Sequence, residues 1–402
     1  MRIASSTMYD LSVSAINRQQ AQLLKTQQQI SASRRVLTPS DDPIASSRAL
    51  EITQADSINT QYGANAQTAT GRLSLTEQML GRVTDVLQSI RQNAIAAGNG
   101  GFTASDRDTV AMDIQAMYDE VMTVANTTDG EGNYLFSGFQ TDLKPFSPTA
   151  AGVQYLGDDG QRLVQVASGR QIAVSESGAD VFMRIRRGNA TFAVSAPPAN
   201  TGNATYSKGT VSDASAITRH QYQIVFSVVG TTTTYDVLDV SAGTTVAAAQ
   251  PYTSGAAIAF DGISLEVSGA PAAGDLVQID PSTDQDLFKT ISDLIAALKG
   301  PAGDTAALAR LQNALTDALI NLDQDLDNVS SVRAGVGTRM RETDNHQLAS
   351  EDLSLQYKQV LSHLQDLDYA KAVSDLLQQQ TNLQAAQKTF VQMAQLSIFN
   401  YL

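Results

Sequence analysis

From Ile16 an apolar residue recurs at every heptad, as Ile16, Leu23, Ile30 and Leu37, while the positions that would complete the seam hold Gln20, Gln27 and Arg34. Half a stripe predicts a helix that is marginal alone and better suited to a partner helix; an ordinary surface helix is the plainer alternative. The prolines of Thr38-Pro39-Ser40-Asp41-Asp42-Pro43 interrupt it, and Ser40 or Asp41 is placed to cap a second helix from about Pro43. The later part of that helix carries Leu73, Leu80, Leu87 and Ala94 on one register and Val83, Ile90 and Ala97 on the other, before Gly98-Asn99-Gly100-Gly101 stops it. A third helix is expected over about 105–126, with Val110, Ile114, Met117, Val121 and Val124 alternating at spacings of four and three.

Beyond Asp129-Gly130-Glu131-Gly132, short Val, Ile, Thr, Tyr and Phe runs separated by turn residues predict β-structure from Tyr134 to about Pro281. Asp158-Asp159-Gly160 suggests a hairpin turn between Val153-Gln154-Tyr155 and Leu163-Val164-Gln165-Val166. Pro197-Pro198 and the Gly, Ser and Thr-rich stretch after it suggest a boundary, followed by strands at 222–229, 235–240, 257–267 and 276–279.

Helix is expected to return at Ser282, spaced with Gln285 as a capping box ahead of Leu287, Ile291, Leu294 and Leu298, and to close at Gly300-Pro301. Asp304 then caps a long helix with the heptad seam Leu308, Leu315, Leu322, Val329 and Val336. Leu353, Tyr357, Val360, Leu364 and Leu367 continue it, and after a register shift over 368–371 the seam resumes at Val373, Leu376, Leu383 and Phe390.

Helices at both ends of a β insertion imply an α+β multidomain protein: an elongated antiparallel helical bundle or coiled coil from the N- and C-terminal segments, with inserted antiparallel β domains. The expected division is a terminal-helix segment 1–42, rod halves 43–139 and 282–345, β units 140–190 and 191–281, and a second terminal-helix segment 346–402. Leu73, Leu80, Leu87, Leu308, Leu315, Leu322, Val329 and Val336 are the expected rod core. Ile16, Leu23, Ile30, Leu37, Val373, Leu376, Leu383, Phe390, Ile398 and Phe399 are the expected assembly interface.

Composition narrows the function. The 402 residues are 42% hydrophobic and 17% charged, too apolar for a disordered chain, and a net charge of -14 leaves no basic stripe for a nucleic acid backbone. With no cysteine there is no disulfide framework, thiolate metal site or cysteine nucleophile. The first 13 residues lack a cleaved signal peptide's layout and no apolar run approaches the roughly 18 residues of a membrane span, so membrane insertion is not expected. A non-cleaved export route stays open.

Motifs for catalysis are missing: there is no G-x-S-x-G elbow, P-loop or H-E-x-x-H pair, and the three histidines, His220, His346 and His363, are not spaced for one metal. Gly335-Val336-Gly337 reads as a helix-packing feature, and Asp323, Asp325 and Asp327 as a solvated acidic helix face. Asp41 and Asp42, or Glu351 and Asp352, have capping or surface roles. No catalytic residue, metal ligand or cofactor is assigned, and the chain is not expected to be an enzyme. A glycan-directed activity in the β units is the reading from another class.

Over 372–402 only Asp375 and Lys388 are charged, among seven glutamines, whereas the N-terminal stretch is basic, with Arg2, Arg18, Lys25, Arg34 and Arg35 against Asp10. Helices so poor in charge pairs are expected to order only when neighbouring chains enclose them.

These ends resemble the flagellin superfamily. The likeness rests on Met1-Arg2-Ile3, the Leu37 to Pro43 break, Tyr134-Leu135-Phe136-Ser137-Gly138, Arg333-Ala334-Gly335-Val336-Gly337-Thr338-Arg339, Asp366-Leu367-Asp368-Tyr369-Ala370 and Leu396-Ser397-Ile398-Phe399-Asn400-Tyr401-Leu402. Tyr134 to Gly138 and the final four residues favour its hook-filament junction branch, with flagellin itself the alternative. The resemblance implies a structural flagellar subunit, exported through the flagellar type III apparatus and held by an export chaperone at its C-terminal helices. It further implies self-assembly into an adaptor ring, with the first hook-associated protein on the hook side and flagellin on the filament side.

Overall fold

This computed structural model describes residues 5–301 and 303–395. They form α1 (Ser5–Ala32), α2 (Pro43–Ala97) and α3 (Ala104–Ala125), then fifteen short strands, then α4 (Leu287–Leu298), α5 (Thr305–Gln365) and α6 (Tyr369–Gln395). The chain divides into two compact units, residues 1–65 with 345–402, and residues 66–344; α2 and α5 contribute to both.

In the first unit α1 packs on α6. α1 stops at Ala32, before Leu37: Ser33 adopts a left-handed conformation (φ 58°) and the Arg34 amide donates to the Gln29 carbonyl at 3.1 Å, closing the helix with a Schellman-type turn made without glycine. The cap of α2 is Asp42, whose Oδ1 accepts from the Ala45 amide at 3.0 Å, instead of Ser40 or Asp41. The expected register shift after Leu367 is a full break between α5 and α6, with Asp368 Oδ1 accepting from the Lys371 amide at 3.1 Å. The two breaks pair: Arg34 bridges Asp366, and the Arg35 amide donates to the Gln365 carbonyl at 2.7 Å.

The second unit has two hydrophobic cores that share no residue. The larger joins α2 to α5 and runs on into the first β segment. α3 begins at a Thr103–Asp106 capping box and buries Ile114, Val121 and Val124. β1 (Phe146–Thr149) pairs with β2 (Gly152–Tyr155), and β3 (Leu163–Ala167) with β4 (Arg170–Ala173). No hairpin therefore turns at Asp158-Asp159-Gly160. Asp158 Oδ1 instead accepts from the Phe139 amide (2.9 Å) and the Gly160 amide (2.7 Å), folding that loop over the Tyr134 to Gly138 segment. A single π-helical turn, Ala179–Met183, then brings Phe182 against Phe136, Phe146 and Phe288.

The smaller core fills a sandwich. One sheet has the antiparallel order β11 (Thr244–Pro251), β10 (Thr232–Asp239), β9 (Tyr222–Val229), β14 (Leu276–Pro281), β6 (Phe192–Ser195). In the other, β13 (Ile263–Ser268) pairs with β12 (Ala257–Phe260), β7 (Thr205–Tyr206) and β8 (Thr210–Val211). The run read as one strand over 257–267 is thus two, reversed at Asp261-Gly262, where both residues have positive φ. Helix resumes at Leu287, not Ser282, because Asp286 caps α4 through the Lys289 amide at 2.7 Å while the Ser282 hydroxyl donates to the Arg187 carbonyl. Residues Asp284–Gln285 form β15, paired with β5 (Ile185–Arg186).

Candidate assembly surfaces

Ile16, Leu23 and Ile30 of α1 and Leu376, Leu383 and Phe390 of α6 are partly buried, as is Leu37 beyond the end of α1. Val373 is exposed, with Ala372 buried in its place, and Ile398 and Phe399 lie outside the described residues. Tyr9 packs on Phe390 with ring centroids 5.0 Å apart, and the Tyr369 hydroxyl bonds that of Ser33. The seam is partly polar: Thr26 is buried and donates to the Gln22 carbonyl, and Gln19 and Gln379 each bury an Oε1 without a hydrogen-bond partner among the described residues. A two-helix pair cannot cover every apolar side chain. Met8, Leu11, Leu24, Leu377 and Val391 remain more than half exposed, as do Ile44, Leu50, Leu348 and Leu355 elsewhere in the same unit.

Charge organises the break beside this pair. Asp41 meets Lys25 at 2.6 Å and accepts from the Thr38 and Leu37 amides, which together hold its carboxyl far below the ordinary carboxylate range. Asp42 is also lowered, chiefly by the Ala45 amide and then by Arg35 at 3.2 Å. Arg35 donates as well to the Leu364 carbonyl at 2.8 Å, so one guanidinium links the N-terminal break to the end of α5.

In the second unit Leu73, Leu80, Leu87, Leu322, Val329 and Val336 are essentially fully buried and Leu315 nearly so. Leu308, in the first turn of α5, is 49% exposed and outside that stripe. The arginine-rich motif ties elements together: Arg333 bonds Glu77 (2.5 Å) and Thr84 (3.3 Å) on α2, and Arg339 bonds Glu176 and the Ala173 carbonyl. Its glycines are not packing contacts, since a Cβ at Gly337 would meet nothing and one at Gly335 only the Arg339 guanidinium.

Nor is Asp325 on a solvated face. It is 1% exposed beside Thr290 of α4, and burial raises its carboxyl well above the ordinary value, whereas Asp323 is exposed and pairs with Arg91 at 2.7 Å. The heptad seam passes through Leu322 and Val329, and a residue three beyond Leu322 lies on its inner face; that spacing was the available signal. Among the described residues no group of three His, Asp or Glu side chains is placed to hold a metal ion, and no helix is long and apolar enough to cross a membrane.

Residues 3–141 match the family model for the bacterial flagellin N-terminal helical region, and residues 196–281, the sandwich, match the D2-like domain of flagellar hook-associated protein 1. Flagellar hook-associated protein 3 of Salmonella typhimurium is 29% identical over 400 residues, covering 99% of both chains. The chain belongs to the flagellar hook-associated protein 3 family. Two Legionella pneumophila crystal structures agree with that membership. Flagellar hook-associated protein-3 superposes with a TM-score of 0.74 at 30% identity, over 78% of this chain and 98% of that one. The flagellar junction protein FlgL gives 0.73 at 29%, over 79% and 100%. Flagellin C of Vibrio cholerae stands further off, 24% identical over 76% of this chain and 77% of its own. Hook-associated protein 3 relatives are structural flagellar proteins.

Proposed function

We propose that this chain is a structural subunit of the bacterial flagellum that polymerises through its helical ends into the adaptor ring of the hook-filament junction. The match to hook-associated protein 3 along 400 residues carries the reading. The geometry supports it, because α1 and α6 pair yet leave Leu24, Leu377 and their neighbours uncovered. Ring neighbours, the first hook-associated protein and flagellin are the partners, and an export chaperone holds the C-terminal helices until the chain passes unfolded through the type III apparatus. Segments 1–42 and 346–402 order as the ring closes. Amide exchange on the free monomer tests that step, and slow exchange in both segments would refute it. The role calls for no catalytic residue.

Leu24→Glu and Leu377→Glu alter exposed positions and so spare the subunit's fold. Cells carrying either variant are expected to secrete it, lose filaments and shed flagellin into the medium. Normal filaments in both strains would sink the reading. A gold-labelled antibody separates the flagellin alternative, marking one ring at the hook for a junction subunit and the whole filament for a flagellin.

A further inference from the structure

The sandwich and α5 meet through hydrogen bonds along one face of the helix. Asn313, Asp317 and Asn321 are spaced by four, which stacks them on one side of α5. Asn313 Oδ1 accepts from the Tyr206 amide (3.1 Å) and its Nδ2 donates to the Ala204 carbonyl (3.1 Å). Asn321 Oδ1 accepts from the Gly188 amide (2.8 Å), and Arg310 donates to the Asn200 carbonyl (3.0 Å). Between them the Tyr206 hydroxyl donates to Asp317 Oδ2 at 2.7 Å.

This seam is not close-packed. A cavity of about 180 Å³ lies on one side, lined by Arg187, Val194, Lys208, Asp293 and Asn321, and one of about 400 Å³ on the other, lined by Pro197, Ala204, Arg310 and Asn313. Asp317 lines both. The sandwich joins the helical part through two strands of backbone, which meet where the Ser282 amide donates to the Thr191 carbonyl at 3.0 Å. A separate core, a largely polar seam and empty space on both sides of one contact make a hinge mechanically possible, since rocking there leaves both hydrophobic cores intact.

We propose that the sandwich, residues 192–281, is a hinged body on α5, latched at the Tyr206–Asp317 contact, and that it docks best when Asp317, buried in the seam, is neutral. Burial pushes the Asp317 carboxyl up to about 7, against the lowering effects of the Tyr206 hydroxyl and Arg187. The other charged groups facing it are Lys208 of the sandwich, Asp293 of α4, Arg310 of α5 and Asp275 at the start of β14. Arg187 is itself shared with Asp280 at 3.6 Å. A raised value in the docked state means docking is favoured most when Asp317 is protonated. That contribution is complete below 3.8 and is lost as pH rises through about 7. Between pH 5 and 7 the docked population ratio falls by roughly fiftyfold.

The chain has no cysteine, so a Val229→Cys, Met112→Cys pair labels the exposed end of β9 and an exposed site on α3 without competition. Pulsed electron spin resonance on the full-length labelled chain should give one narrow distance distribution at pH 5 and a second or broadened population at pH 8. Asp317→Asn, which keeps an acceptor for Tyr206 and cannot ionise, should give the narrow distribution at both. Tyr206→Phe should show the second population already at pH 5. An unchanged distribution between pH 5 and 8 with the latch intact, a measurement that needs no latch variant to fold, would overturn the proposal; so would a parent-like pH response in Asp317→Asn.

Discussion

Gly138 shows how one residue carries the Tyr134 to Gly138 motif. Its φ is +75°, and a Cβ there would fall on the carboxylate and backbone of Asp158, whose Oδ1 holds the Phe139 and Gly160 amides. Gly138→Ala is therefore expected to cost about 2 kcal/mol or more, from the left-handed backbone and the displaced loop together, measured as a lower urea midpoint. Asp41 gives a test by pH. Its folded value is depressed below 3.8 by Lys25 and two amides, so its stabilising contribution is present above 3.8 and lost as pH falls through the depressed value. In the assembled ring, amide exchange at Leu37 and Thr38 should accelerate, after correction for intrinsic rates, as the sample is titrated below pH 4, and Asp41→Asn should show that faster exchange already at pH 7.

At the scale of elements, the heptads placed α2, α3 and the buried stripe of α5 without help from the fold, because a stripe of Leu and Val needs only a helical period to be legible. Leu80, fully buried, makes this quantitative: Leu80→Ala should destabilise by roughly 2–5 kcal/mol in chemical denaturation. Element ends were less legible. α1 closes on Ser33 instead of glycine, and α5 breaks where no proline stands, because each break is held by backbone bonds to the other, more than 300 residues away in sequence. Asp325 fails for a related reason: its neighbour Thr290 belongs to α4. Its raised carboxyl contributes stability that is lost as pH rises above 3.8, so Asp325→Asn should flatten the resulting decline of the urea midpoint with pH.

On the scale of the whole molecule, the sandwich and the helical core of the second unit are energetically separable, since they share no core residue and Thr191 already bonds Ser282. Deleting 192–281 and joining those two residues should leave a helical protein whose melting temperature lies within a few degrees of the remaining transition of the full chain. Collapse of the helical signal at room temperature would show instead that the sandwich supports the helices. The match of residues 196–281 to a D2-like domain fits an inserted body with its own core. A hinge placed at the sandwich's root would let that body move while the helical core stays packed.

By itself the sequence determined the helical ends, the β insertion between them, the half-polar terminal seams and the motifs that point to a flagellar junction subunit. Each is written in local periodicity or in a contiguous run of residues. Tertiary structure alone decided where α1 and α5 stop, how the first β segment pairs, and that Tyr206 meets Asp317. Those outcomes depend on partners supplied from distant segments, and a side chain's burial and protonation are properties of the neighbours that enclose it.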